Sequence, residues 1–455
     1  MIDLTELAAE ALAVADRVEG EVRAEAVRSL LNVVGTTIGA AATTETDIVA
    51  AGMRHSGAPG DAPVPGRADT FDPSSAALIT GFAAHLDDFD DTHLATVVHP
   101  GAATLGAALG ASWMRDRSTG ELLPDRSGDE LLRAFAVGIE LQLRVAVAMS
   151  PSHYDAGWHI TGTVGSLGAA TTAAMLLGLD AETTGRALGI ASSMTIGHRE
   201  GFGTMNKPLH PGKAAANGLV AAAAAARGLD ASPSALDGPR GYFAVMAPEL
   251  DPGLLVDGWG ERWELLSNTY KPYPCGIVTH PAIEAAERLH QAVGGREIDR
   301  VEVRCHPLVV ELTGNPDPGD GLAARFSTVH GVAAGVLGGA VDLGSYDDAY
   351  VRSAALIAMR ARVELIPDPE IPRATAHLTV TLTDGSTEKC TVENARGSLE
   401  APLTDDQLDR KVLALVERTL PGREKEIVET SRAVAAAAGA RGWFSALAAA
   451  DTKGN

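Results

Sequence analysis

The chain has 455 residues and 46.9 kDa, and its 37 lysines and arginines face 59 aspartates and glutamates for a formal net charge of −22. That charge repels phosphate backbones and anionic lipid surfaces, which speaks against a nucleic-acid or membrane partner and requires a local basic pocket for any anionic ligand. The length allows two or three domains with ample core.

Cys275, Cys305 and Cys390 are scattered and odd in number, so they form neither a disulfide framework nor a CxxC metal knuckle, and a reducing cytoplasm is the expected location. No basic-then-apolar leader is read at the start of the sequence. Apolar stretches are expected to be broken by glycine, threonine or charge before ~18 residues accumulate, the length of a membrane span.

Aromatics are only 4% while alanine and glycine abound, so close packing of small-residue helices is expected. Residues 4–18 and 22–42 carry apolar side chains at three- and four-residue spacing, the pattern of amphipathic helices. Asp72-Pro73 reads as a helix cap followed by a first-turn proline, and Ser127 with Glu130 as a capping box.

Between them lies His85-Leu86-Asp87-Asp88-Phe89-Asp90-Asp91-Thr92-His93, followed by His99-Pro100-Gly101 at a helix start. Four carboxylates in five residues repel one another, which marks either a solvated terminus or a place where something neutralises them. Farther on, Gly157-Trp158-His159 opens a glycine- and alanine-rich helix. A histidine beside tryptophan is commonly a satisfied core residue, but free N–H groups at a helix start favour anions. Asp180 caps a further helix, and 215–226 continue the one that opens with Asn206-Lys207-Pro208-Leu209-His210-Pro211-Gly212-Lys213.

The texture changes near residue 266. Tyr270-Lys271-Pro272-Tyr273-Pro274-Cys275-Gly276 comes first, its prolines fixing an extended backbone that can hold Lys271 over a cleft. Cys275 has no Cys-His-Asn signature with it and reads as a bystander thiol. Helices follow at 280–293 and 347–361 and strands at 298–305 and 376–382, the last running into the hairpin pair Asp384-Gly385. From Thr404 the helical pattern returns. The fold class expected is therefore mainly α, with a large helical domain formed by 1–266 and 400–455 and a smaller inserted α+β lid domain at 267–399. Only seven of the 37 basic residues are lysines, yet Lys207, Lys213 and Lys271 sit in two short motif segments. Lysine offers a compact charge with a pKa that burial can shift, useful beside a reacting carboxylate.

Taken in order, the DFDDT element with its later HP, the GWH before a small-residue helix, KPLHPGKAA and YKPYPCG resemble the MmgE/PrpD family over nearly the whole chain. The resemblance implies a homodimer acting on a small anionic di- or tricarboxylate with no metal and no organic cofactor. It implies site positions at Asp88, Thr92, His99, His159, Lys207 and Lys271. Two departures stand out: Gly276 replaces the histidine of the decarboxylase branch, and Phe326-Ser327-Thr328-Val329 is followed by His330 where that branch has tyrosine.

The family reactions all build negative charge on a carbon next to a carboxylate. Lys207 and Lys271 are expected to clamp substrate and stabilise that charge, with His210 as a further binding residue. His159 is expected to be the principal acid/base with a pKa near neutrality, His99 its partner, Thr92 and Asp88 orienters, and His330 a second proton donor. The expected activity is that of a hydro-lyase (a dehydratase), with an epimerase or decarboxylase as alternatives and a non-catalytic ligand-binding dimer as the reading from another class. Asp87-Asp88-Phe89-Asp90-Asp91 also satisfies DDxxD, the magnesium-diphosphate motif of helical cyclases. The scarcity of aromatic side chains and the lack of a second metal motif oppose that reading.

Overall fold

Small side chains decide how the helices meet. In the computed structural model, which describes residues 2–116 and 118–450, a Cβ on Gly106 of the helix Pro100–Ser112 would lie 2.5 Å from the Ala77 carbonyl oxygen. A Cβ on Gly212 of Asn206–Ala225 would likewise lie 2.5 Å from the Leu78 carbonyl. Both neighbours belong to Pro73–Leu86, so three helices pack backbone to backbone, and only glycine permits that approach. Ile160–Leu177 and Gly128–Met149, buried over most of their length, complete this stack.

The fold is mainly α, 57% helical with 21 α-helices among the described residues. Expected caps form: Asp72 accepts from Ser74 and Ser75 N–H, Asp180 accepts from Thr183 N–H, and Ser127 with Glu130 closes a capping box. Ile160–Leu177 is long and apolar enough to cross a membrane, contrary to the expected interruption, and 89% of it is buried inside the protein.

Two hydrophobic cores dominate. The first joins both ends of the chain, with Leu30 and Val34 sharing it with Leu408 and Val412. The second holds Tyr273, Ile283, Val301, Leu378 and their neighbours. Tyr270 belongs to the first core and Tyr273 to the second, so Lys271 sits where the chain crosses over. The return falls between Ala395 and Leu403.

The second core lies under a four-stranded sheet ordered Val363–Pro367, Ile298–Cys305, Ala376–Leu382, Thr387–Val392. The first pair is parallel and the others antiparallel. Ala376–Leu382 alternates buried and half-buried residues, as its sequence alternation requires. Gly385 takes the turn with φ +84°, a value glycine accepts without strain. The single helix expected over 347–361 is two, Asp348–Val351 and Ala354–Arg360, because Ser353 adopts an extended conformation between them. Likewise 4–18 is the helix Leu4–Ala13 followed by a 3-10 turn, Val14–Arg17.

Candidate active site

A short antiparallel ladder, Asp91–His93 with Asn268–Tyr270, ties the acidic segment to the lysine segment. Beside it opens a cleft of about 950 Å³ including its mouth, walled by both cores. Asp88, His99, His159, Lys207 and Lys271 all line it.

Asp88 follows the C-cap of Pro73–Leu86 with φ +50°, and Val97 on the same wall has φ +55°, an unusual conformation for a β-branched residue. The turn aims the Asp88 carboxylate between two ammonium groups. Lys271 Nζ donates to Asp88 Oδ2 and to its carbonyl, both at 2.9 Å, and Lys207 Nζ donates to Oδ1. Burial alone raises the pKa of Asp88, but Lys207 and Lys271 outweigh it and hold the carboxyl well below the usual range. Lys207 is shifted down by burial, against the pull of Asp88, and lies 5.3 Å from the Phe202 ring centroid and 5.2 Å from that of Phe326. Two ammoniums on one carboxylate concentrate positive charge beside Asp88 in a chain of net charge −22, with the buried Asp90 carboxylate nearby to offset part of it.

The other three aspartates of the segment engage separate partners. Asp87 accepts from Arg325 at 2.7 Å and Arg418 at 2.9 Å. Asp90 lies between His85 and His99. Asp91 accepts from Ser29 Oγ and Asn268 Nδ2, both at 2.7 Å, and from Gly101 N–H. Each carboxylate thus has its own partners, cations for Asp87 and Asp88 and neutral groups or imidazoles for Asp90 and Asp91, and the DDxxD triplet does not converge on a shared cation. His85, Asp88, Asp90 and His99 do bring potential ligand atoms within 4.8 Å of one another. Lys207 and Lys271 already occupy both carboxylate oxygens of Asp88, so a metal ion drawing on that ligand would have to displace an ammonium.

His99 and His159 each stand at the start of a helix, Pro100–Ser112 and Ile160–Leu177. Proline at the first helical position fixes the first entry. His99 Nδ1 lies 3.0 Å from the Asp91 carbonyl and 3.2 Å from Thr92 Oγ1. His159 Nδ1 lies 2.8 Å from His210 Nδ1, and its ring meets Phe202 edge-on. Burial, reinforced by Lys207, pushes the His159 pKa well below the ordinary histidine value, rather than leaving it near neutrality.

The expected residues do not all reach the wall. Thr92 touches His99 rather than the cleft. His210 stands behind His159, where burial lowers its pKa to about 4. His330 is held off the cleft in Thr328–Gly338, its Nε2 2.8 Å from the Ser345 carbonyl, so its apolar helix buries it against Tyr346 instead of presenting it to substrate. Cys275 is buried with its thiol 3.1 Å from Thr279 Oγ1, and burial raises its pKa, as suits a bystander. Gly276 does line the cleft and leaves it without a side chain there.

Sequence reasoning passed over several contributors. Phe202, Phe326 and Tyr154 wall the cleft, and Arg373 reaches it from the loop before Ala376–Leu382. Lys411, from the C-terminal helix Asp405–Glu417, donates to the carbonyls of Phe89 (2.7 Å) and Lys271 (2.9 Å) and to Asn32 Oδ1 (2.8 Å), pinning both site segments. The rarity of lysine was the one signal that pointed to it.

Residues 5–254 match the MmgE/PrpD N-terminal domain and residues 273–435 the MmgE/PrpD C-terminal domain. The chain is 29% identical over 364 residues to the cis-aconitate decarboxylase of Homo sapiens, covering 76% of this chain and 73% of that protein. It is 30% identical over 365 residues to the Mus musculus cis-aconitate decarboxylase, covering 76% and 72%. It is 26% identical over 384 residues to the cis-aconitate decarboxylase-like protein oryM of Aspergillus oryzae, covering 79% of each.

Proposed function

The chain belongs to the MmgE/PrpD family, and we propose that it is a cofactor-independent lyase of that family, a hydro-lyase acting on a small di- or tricarboxylate. The observation that carries the reading is the pair of buried ammoniums on Asp88 beside two imidazoles on one cleft wall. A substrate carboxylate entering the cleft shares Lys207 and Lys271 with Asp88. When a proton leaves the adjacent carbon, the electron pair spreads into that carboxylate, and fixed cations in a water-poor site stabilise the charge without reorganising. One imidazole takes the proton. The electron pair then forms the double bond as the β-hydroxyl leaves, protonated by a second group to give water.

Gly276 on the cleft wall supports elimination of water, since the histidine that marks the decarboxylase branch is missing. A second reading, a carboxy-lyase, draws on the names of the relatives, all cis-aconitate decarboxylases or like proteins. We take the functional unit to be a homodimer. Incubating the purified protein with a panel of di- and tricarboxylates in deuterium oxide, read by mass spectrometry, tests the function. Loss of water with an unsaturated product is expected. Loss of carbon dioxide selects the second reading, deuterium exchange without elimination selects an epimerase, and no exchange with any acid that binds leaves a ligand-binding dimer.

A further inference from the structure

We propose that Asp90, shared between His85 and His99, is the positioning residue that makes His99 the base of the site and leaves His159 as its neutral partner. The proposal rests on the reading that the cleft moves a proton.

Asp90 is fully buried. Its Oδ2 lies 2.7 Å from His85 Nδ1 and its Oδ1 3.2 Å from His99 Nδ1. A carboxylate only accepts hydrogen bonds, so His85 Nδ1 carries the hydrogen, while Asp90 Oδ1 stands at ion-pair distance from His99 without a hydrogen bond to it. The Asp91 carbonyl, 3.0 Å from His99 Nδ1, is an obligate acceptor, and it fixes the Nδ1–H tautomer of His99 and leaves Asp90 Oδ1 free to face the ring as a counter-charge. With Nδ1–H fixed, Nε2 of His99 is the basic nitrogen of a ring that lines the cleft.

Protonation there creates an imidazolium in contact with a full negative charge. His159 has no such counter-charge. Its Nδ1 meets another imidazole, His210, and of two neutral rings one must donate and the other accept. The charged groups around His99 come from every side: Asp90 and Asp91 from its own segment, Asp88, Lys271 from the strand segment, Lys207 from Asn206–Ala225, and the rings of His85 and His159 from Pro73–Leu86 and Ile160–Leu177. Burial and the lysines oppose an imidazolium at either ring and lower the pKa of both, His99 against the pull of Asp90, and Lys207 is the largest charged influence on His159. Only His99 has a carboxylate in direct contact to offset them.

His85 completes the device. Its second nitrogen, Nε2, is buried without a partner, and its ring sits 4.6 Å from that of His99 and 5.5 Å, stacked, from that of His159. It therefore holds the far oxygen of Asp90 and separates the two cleft histidines.

The test combines ring ¹⁵N shifts with pH–rate profiles. In the wild-type protein the His99 signal, assigned by its loss in His99→Asn, is expected to be the Nδ1–H tautomer; an Nε2–H tautomer overturns the proposal whether or not any substrate turns over. Asp90→Asn is expected to lower kcat roughly 10²–10⁴-fold and to move the acidic limb of kcat/KM to lower pH, because the imidazolium loses its counter-charge. Asp90→Glu should restore part of the limb. An unmoved limb with native turnover per folded molecule overturns the assignment. Should Asp90→Asn fail to fold, His85→Phe removes the competing partner and is expected to move the limb upward; an unmoved limb there overturns it equally. Proton exchange by the wild type is measured separately, so failure of the enzyme reading is told apart from failure of the Asp90 assignment.

Discussion

Asp91 pairs with Tyr270 across the short antiparallel ladder, and this register sets Lys271 Nζ 2.9 Å from the carboxylate of Asp88. One strand comes from the acidic segment and the other from the crossover between the two cores. The relative position of the cores is thereby written into the geometry of the site.

Lys207→Ala and Lys271→Ala should each lose far more activity than Lys425→Ala, a substitution of an exposed lysine on the helix Glu424–Arg432. Removing one ammonium leaves Asp88 with a single counter-ion in a buried site. Breaking a buried pair in this way typically costs about 3–5 kcal/mol, so thermal melting should fall as well. Turnover per folded molecule separates the two effects, and equal activity in Lys207→Ala and Lys425→Ala would remove Lys207 from the site.

The four motif segments were legible because charge, lysine rarity and helix-start signals are local properties of the sequence. The alternation of 376–382 and the caps at Asp72, Ser127 and Asp180 were legible for the same reason. What the sequence hid is long-range. The ladder between Asp91–His93 and Asn268–Tyr270 joins three-residue strands too short to carry a period, and the strand Val363–Pro367 lacks alternation. His330 stands where the resembled branch has tyrosine, which pointed to a proton donor, but the direction of its side chain depends on how Thr328–Gly338 packs, which a motif match does not fix. His210 was expected to bind substrate, yet it stands behind His159 and off the cleft wall.

Stability should fall as pH drops below about 6.5, the ordinary histidine value. Burial pushes His85 and His280 down to about 3 and His153, His210 and His330 to about 4. These rings stay neutral when folded, so below 6.5 the unfolded chain binds more protons, and stability is lost until the pH passes the folded values. Asp88, depressed in the fold, adds to the loss below the ordinary aspartate value. Asp91, raised to about 6 first by burial and then by Asp90, works the other way over the carboxylate range, as do Glu25 and Glu140, which burial also raises; with His99 and His159 lowered as well, seven imidazoles stand against these three carboxyls. Melting temperature should therefore decline from pH 7 to pH 4.5, and a flat profile would contradict the neutral buried rings.

Lys411→Met should slow turnover although the residue lies on the far side of the segments it holds. Its ammonium satisfies the carbonyls of Phe89 and Lys271 at once. Leaving buried acceptors unpaired costs about 1–3 kcal/mol, and both loops that aim Asp88 and Lys271 lose their common anchor. A fall in kcat larger than the change in folded fraction is expected. Native kcat with reduced melting temperature would limit Lys411 to stability.

Activity should survive exhaustive chelation, and no prenyl diphosphate should react. Asp87, Asp88 and Asp91 are each committed to different partners, so magnesium has no shared set of free carboxylates to bind. Magnesium-dependent turnover of a diphosphate ester would overturn this account of the acidic segment.

His159→Asn should keep substrate binding and lose roughly 10²–10⁴-fold in turnover, the usual worth of a positioned proton-transfer group. His159 lines the cleft near Lys207, and its Nδ1 is occupied by His210, so the other ring nitrogen is the one available to substrate. Burial and Lys207 keep the ring neutral through the neutral range, so it acts as a hydrogen-bond donor or weak acid toward the leaving group, not as an imidazolium. The acidic limb of the pH profile should therefore stay where it is in this variant, while kcat falls. Asparagine keeps approximate size and polarity, which limits the structural cost. If His159 were only a satisfied core residue, the substitution would lower melting temperature and leave the rate of the folded fraction intact; that outcome would take His159 out of the chemistry and leave His99 as the sole imidazole acting on substrate.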